Sequence, residues 1–204
     1  MDNVFKIIFL VCMIIAEVIR FPYRQRNKRE MREKKLAESR INPLDTMLDL
    51  LAFAGMEIIP LIYIFTSWLN FANYTLPLVL GWLGAAIFLV ALWLLYRSHH
   101  DLGFNWSPTL QITQEHKLVT QGLYRTIRHP IYAAMWLWGV AQALLLQNWI
   151  AGPATLIFFG LVYIRRVPRE EQMMIDRFGD EYRAYMQQTG RVMPKLAKKQ
   201  QGTA

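Results

Sequence analysis

Apolar residues fall into five runs along the chain, at residues 4–20, 46–69, 76–96, 131–147 and 149–164. A bilayer core of about 30 Å takes roughly 20 helical residues at 1.5 Å rise each, and the runs approach that length. The pattern predicts an all-α integral membrane protein with about five transmembrane helices. Run 76–96 is the cleanest. Run 46–69 carries Asp49, Glu57 and Pro60, which predicts a helix partly buried in a bundle and kinked near the proline. Runs 131–147 and 149–164 are separated by the uncharged Gln147 and Asn148 and read as a tight helical hairpin. Run 4–20 is interrupted by Glu17 and is either a span or a secretory signal. Lys6 is its only early basic charge and no small-residue cleavage site precedes the next basic block, so the span is the better reading.

The polar stretches between the runs set an orientation. Residues 20–40 hold nine Lys or Arg against three Glu, whereas residues 70–75 hold no charge. By the positive-inside rule the basic loop 20–45 is cytoplasmic and the 70–75 loop faces outward. Residues 97–130 form a long polar stretch with turn signals, on the cytoplasmic side. Its aromatic residues and histidines point to a functional loop. After residue 165, Met174, Phe178, Tyr182 and Tyr185 recur at helical spacing, which predicts an amphipathic helix broken near Gly179 and ended by Gly190 and Pro194. The resulting division is an N-terminal membrane part, 1–97, a core, 98–194, and a poorly ordered basic tail, 195–204. The formal charge of +8 sits at the ends of apolar runs, as membrane orientation requires, so no nucleic-acid partner is expected. A single cysteine, Cys12, rules out an intramolecular disulfide.

Two polar blocks abut these runs: LVTQGLYRTIRHPIY at 118–132 and RRVPREEQ from Arg165. Ionisable groups this close to lipid are costly unless they face a protected cavity and have partners, which makes both blocks functional candidates. The chain has no GxGxxG, P-loop, HExxH or GxSxG pattern. His99, His100, His116 and His129 lack ligand spacing, so no metal is expected, and capping or interfacial roles suit His99 and His100. Arg166 and Glu170 are four apart on one helix face, forming either an intrahelical ion pair worth about 0.3–0.5 kcal/mol or part of a polar ligand site. Arg128 is expected to pair with Glu170 or Glu171. Glu57 is expected to be protonated or paired with a neighbouring helix.

The stretch HKLVTQGLYRTIRHPIY, followed after two apolar runs by RVPREEQMMIDRFGDEYRAYMQQTGRVMP, resembles the isoprenylcysteine carboxyl methyltransferase family and its prokaryotic relatives. Phospholipid N-methyltransferases resemble it more loosely. The likeness covers residues 98–194. It implies a membrane-embedded enzyme whose cytoplasmic C-terminal region binds S-adenosyl-L-methionine without a Rossmann domain. The family's cofactor positions fall on His116, Lys117, Leu118, Val119, Tyr124, His129, Pro130, Ile131, Tyr132 and Glu170. Its catalytic arginine, which holds the substrate carboxylate, falls on Arg166. Without the resemblance, Leu118 and Val119 read as core residues, and Tyr124 and Tyr132 as interfacial aromatics. The implied partners are the lipid bilayer and a lipophilic small-molecule or prenylated acceptor. Three other readings stay open: a phospholipid amine N-methyltransferase, an NADPH-dependent sterol-type reductase and a non-enzymatic membrane scaffold.

Overall fold

The computed structural model describes residues 2–32, 36–39, 42–103, 111–113 and 117–195. Helix α1, Asp2–Arg32, runs well past the expected end of the first span and through Pro22. Its polar end is held on one face, where Glu17 accepts from Arg20 Nη1 at 3.4 Å and from Arg24 Nη1 at 2.6 Å. Helix α2, Pro43–Phe53, begins in a capping box in which Asn42 and Asp45 each accept from the other's backbone N–H, with Pro43 at the first helical position. The irregularity expected near Pro60 lies just ahead of it. Residues Ala54–Ile58 form a π turn, closed by an Ile59 N–H bond to the Ala54 carbonyl, and α3 continues over Ile59–Phe65. Pro60 has no N–H to give to a regular ladder, and the i→i+5 turn accommodates that break.

Helix α4 spans Leu78–Leu102 and α5 spans Pro130–Leu146. The last apolar run becomes helical only at α6, Ala154–Phe178, because Asn148 organises the preceding turn. Its Oδ1 accepts from the N–H groups of Ile150 and Ala151, and its Nδ2 donates to the Leu69 carbonyl and to Asn73 Oδ1. Gly179, at φ +57°, separates α6 from α7, Asp180–Gln188, which places the break where the sequence predicts it. The helical architecture gains one element that periodicity does not show. Strand β1, Leu36–Ser39, pairs antiparallel with β2, Gln111–Thr113.

Helices α4 and α5 form the main packed pair, with α1 against both and α2 against α6. Phe9, Phe88 and Trp138 are buried in a row where α1, α4 and α5 meet, with ring centroids 5.6 and 5.0 Å apart. The interior also holds a satisfied polar cluster. Gln142 Nε2 donates to the carbonyls of Gly55 and Ala151 at 3.0 and 2.6 Å, and Thr155 Oγ1 lies 3.1 Å from the same Gly55 carbonyl and 2.7 Å from Gln142 Oε1. On the outside, Val4, Ile7, Val11, Ile14 and Val18 make an exposed apolar face along α1, and Val79, Trp82, Leu89 and Trp93 do so along α4. Such faces suit hydrocarbon rather than water. Two helical stretches, Pro43–Phe65 and Leu78–Leu102, are long and apolar enough to cross a membrane, and Pro130–Leu146 is apolar but shorter.

Candidate active site

The two polar blocks meet through backbone as well as side chains. Leu123 N–H donates to Asp101 Oδ2 at 2.9 Å, which fixes the short 3-10 turn Gly122–Arg125 to the end of α4. The chain beyond α7 then returns to clamp this segment. Arg128 and His129 N–H groups donate to the carbonyls of Gly190 and Arg191, both at 2.9 Å, and Gly190 N–H donates to Thr126 at 3.1 Å. Tyr185 Oη adds a bond of 2.6 Å to the Tyr124 carbonyl. Pro130 opens α5 directly after this clamp, so the orientation of His129 and Tyr132 is set from both ends.

Glu171 is the electrostatic centre of the clamp. It is 3% exposed and receives Arg128 Nε at 2.6 Å and Arg191 through Nε and Nη2 at 3.1 and 2.6 Å, while His129 Nε2 lies 3.3 Å away. Burial pushes its carboxyl upward, but the hydrogen bonds from His129, Arg191 and Arg128 outweigh burial and hold it down at about 2. The expected pairing of Arg128 is therefore found, with Glu171. Desolvation keeps the Tyr124, Tyr182 and Tyr185 phenols raised and neutral.

Arg166 and Glu170 do not form the intrahelical pair that their spacing permits. Arg166 Nη2 donates to Asp49 Oδ2 at 2.9 Å on α2, and Glu170 Oε2 accepts from Tyr132 Oη at 2.7 Å on α5. Each therefore joins a different neighbouring helix to α6. One turn closer to the start of α2, Asp45 binds Arg165 at 3.0 Å and Arg169 at 2.6 Å, so the α2–α6 contact is a ladder of ion pairs.

A cavity of about 360 Å³ lies between these elements. It is lined by Lys117, Leu118, Val119, Tyr124, His129, Pro130, Ile131, Tyr132, Arg166 and Glu170, which brings together every sequence-derived site residue except His116. His116 lies outside the described residues. Met135, Phe159 and Val162 add apolar surface, and the ring of His129 stacks on Tyr132 at 5.4 Å. A cation-complementing carboxylate, an anion-complementing guanidinium and a mostly apolar wall fit one ligand of mixed charge beside a lipophilic one.

Sequence reasoning missed several contributors. Asp49 reads in the sequence only as a polar residue in an apolar run, four positions after Asp45, and the structure sets the pair against Arg165, Arg166 and Arg169 of α6. Tyr182 and Tyr185 read as an amphipathic stripe and also line the cavity. Arg20, Arg24 and Glu57 line the cavity too. Glu57 Oε1 has no hydrogen-bond partner among the described residues.

Residues 82–176 match the model of the isoprenylcysteine carboxyl methyltransferase family. Among curated proteins, the protein-S-isoprenylcysteine O-methyltransferase of Tribolium castaneum is 32% identical over 91 residues, 45% of this chain and 32% of that protein. A probable enzyme of the same name from Oryza sativa subsp. indica is 34% identical over 80 residues, 39% of this chain and 42% of its own. Enzyme B of Arabidopsis thaliana is 32% identical over 94 residues, 45% and 48% respectively. The matched region thus spans less than half the length of these relatives. A solved structure of a eukaryotic intramembrane Ras methyltransferase, also an isoprenylcysteine carboxyl methyltransferase, covers 76% of this chain and 54% of its own at 24% identity and a TM-score of 0.49.

Proposed function

We propose, from the match of residues 82–176 to the isoprenylcysteine carboxyl methyltransferase family, that the chain belongs to that family and methylates the carboxylate of a lipophilic, isoprenylcysteine-like acceptor at a membrane. The observation that carries this reading is the cavity itself, where residues far apart in sequence converge beside apolar helices. The donor is S-adenosyl-L-methionine, whose sulfonium-borne methyl group is open to in-line displacement. Its fit rests on Glu170, anchored by Tyr132, which offers negative charge to a cationic ligand, and on the rings of Tyr124, His129 and Tyr132, which enclose it. Lys117, Leu118, Val119, Pro130 and Ile131 line it through packing and backbone groups.

Arg166 holds the acceptor carboxylate through the donors not engaged by Asp49. A deprotonated carboxylate is already a nucleophile, so no general base is required. Opposite charges would be neutralised as the C–O bond forms and the methyl–sulfur bond breaks, leaving a methyl ester and the neutral thioether S-adenosylhomocysteine, and the apolar lining of Met135, Phe159 and Val162 favours that change over water. The topology that accompanies this reading has five spans, the cavity on the cytoplasmic side, and acceptor entry from the lipid.

Titrating the detergent-solubilised protein with S-adenosylhomocysteine and with NADPH is the direct test, followed by transfer of labelled methyl to S-prenylcysteine analogues and to lipid extracts. Binding of the adenosyl ligand and a base-labile methyl ester are expected. Tight NADPH binding without any response to the adenosyl ligand supports a reductase and rejects this function, and label found on a lipid amine instead rejects the carboxyl acceptor.

A further inference from the structure

Two neighbouring helices change character at the same end and in the same way. On α1, Val4, Ile7, Val11, Ile14, Val18 and Phe21 follow one another at steps of three and four residues and form one exposed apolar stripe. The same steps then reach Gln25 and Lys28, with Arg26 and Arg29 beside them, all four exposed. On α4, Trp82, Leu89, Trp93 and Tyr96 make a second exposed stripe, which runs into Arg97 and His100. The helices lie side by side and parallel, because Phe5 meets Trp82 at one end with ring centroids 5.7 Å apart and Tyr23 meets His99 at the other at 4.7 Å. From Val4 to Phe21 a helix rises about 26 Å, close to a hydrocarbon core of about 30 Å, so the polar ends begin where such a core would end.

The cations of α1 divide between two sides of the helix. Arg20 and Arg24 bond Glu17 and line the cavity, whereas Arg26, Lys28 and Arg29 are on the exposed side. Residues 20–29 hold five Lys or Arg and no Asp or Glu, and on α4 the charge of Arg97 is offset by Asp101 at 3.1 Å. The excess positive charge therefore belongs to the end of α1. Tyr23 and Tyr96 stand at the change from apolar to cationic, the level that amphipathic rings prefer at a bilayer surface. A soluble anion would use only the cations, and an apolar helix only the stripes. A ligand that covers both carries hydrocarbon chains and an anionic head in one molecule.

We propose that the seam between α1 and α4 binds an anionic phospholipid, its acyl chains along the two stripes and its phosphate at the end of α1 that carries Arg26, Lys28 and Arg29. The site lies outside the cavity and does not depend on the methylation reading.

The test titrates the full chain in neutral detergent with chain-brominated phosphatidylglycerol and with chain-brominated phosphatidylcholine, reading the quenching of tryptophan fluorescence. Each cation near an anionic lipid surface is worth roughly fivefold in affinity, so the wild type is expected to favour phosphatidylglycerol by about tenfold or more. Replacing Arg26, Lys28 and Arg29 together by Gln should bring the two lipids to within about twofold. Removing the same charge elsewhere, with Arg125, Arg183 and Lys195 replaced by Gln, should leave the preference intact. Trp93 lies on the α4 stripe one turn before Arg97, so Trp93→Phe should remove a large share of the selective quenching. Equal wild-type affinities for the two lipids overturn the proposal. So does a preference that survives the Arg26, Lys28 and Arg29 replacements, or one lost equally in the control variant. Displacement of the lipid by soluble glycerol phosphate also overturns it, since the ligand would then be the head alone. Should the first triple variant fail to fold, Trp93→Phe still decides: selective quenching unchanged there places the lipid elsewhere and rejects the seam.

Discussion

Single side chains in this molecule are pinned from two directions, and their predicted effects differ accordingly. Arg166 faces the cavity while bonded to Asp49. If the chain carries out the proposed carboxyl methylation, Arg166→Ala is expected to lower kcat/KM for it by roughly 10²-fold or more, the usual scale for losing a preorganised charge contact. Arg166→Lys should rescue little, because one ammonium cannot bond Asp49 and a carboxylate with fork geometry. Steady-state kinetics on an S-prenylated acceptor check both, and near-wild-type activity in Arg166→Ala would remove the residue from the acceptor site. Glu171 makes a different kind of prediction. Its folded carboxyl is held at about 2, below its ordinary 4.5, so the folded state takes up a proton less readily than the unfolded one. The stability it contributes is therefore complete above the ordinary carboxylate range and is lost as pH falls toward the folded value. Thermal unfolding in detergent should show the wild type losing Tm through that window and Glu171→Gln starting lower with a shallower slope. Parallel curves would assign the acid response to other carboxylates.

At the scale of elements, the π turn in the second apolar segment matters most. Its Gly55 carbonyl is bonded by Gln142 and Thr155, so three helices share one buried polar point. Gln142→Leu keeps the approximate volume but leaves that carbonyl and the Ala151 carbonyl short of a donor. A cost of about 1–3 kcal/mol is expected, read as a lowered unfolding midpoint. If the midpoint is unchanged, the cluster is not holding the turn. The sequence made the helices legible because apolar runs of this length leave little alternative, and it made the Gly179 break legible because a positive φ favours glycine. It did not show the π turn, which depends on donors supplied from Gln142 and Thr155 far along the chain. Nor did it show α1 continuing to Arg32, since Pro22 and the basic residues after it read as a loop, and in the structure Arg24 beyond the proline reaches back to Glu17. The ribbon of β1 and β2 was equally hidden, because its strands of four and three residues are too short for an alternating pattern to register.

For the whole molecule, the site was legible as two blocks but not as one surface. The blocks at 118–132 and from Arg165 stand out by their charge beside apolar runs and the site residues within and beside them come from the family resemblance, whereas the lining from α1 and α2 depends on which helices lie together. Charge patterning alone gave no register between Asp49 and Arg166. Orientation in the membrane remains a prediction with a clear readout. In a Cys12→Ser background, cysteines introduced singly at positions 70–75 should react with an impermeant reagent from outside, and those at 117–125 only after permeabilisation. The reverse pattern would reject the cytoplasmic site. Cys12 is itself buried, so replacing it should be tolerated only with small, weakly polar side chains.

The bonds from Gly190 and Arg191 to the Thr126–His129 segment also impose an order on biogenesis. The apolar helices can enter the bilayer as they are synthesised, but the pocket cannot take shape until residue 191 has been made and has folded back. On the proposed function, chains ending at residue 188 should therefore be inserted yet unable to retain S-adenosylhomocysteine, and chains ending at residue 195 should retain it. Ligand capture would then report the completion of translation through this point rather than membrane insertion.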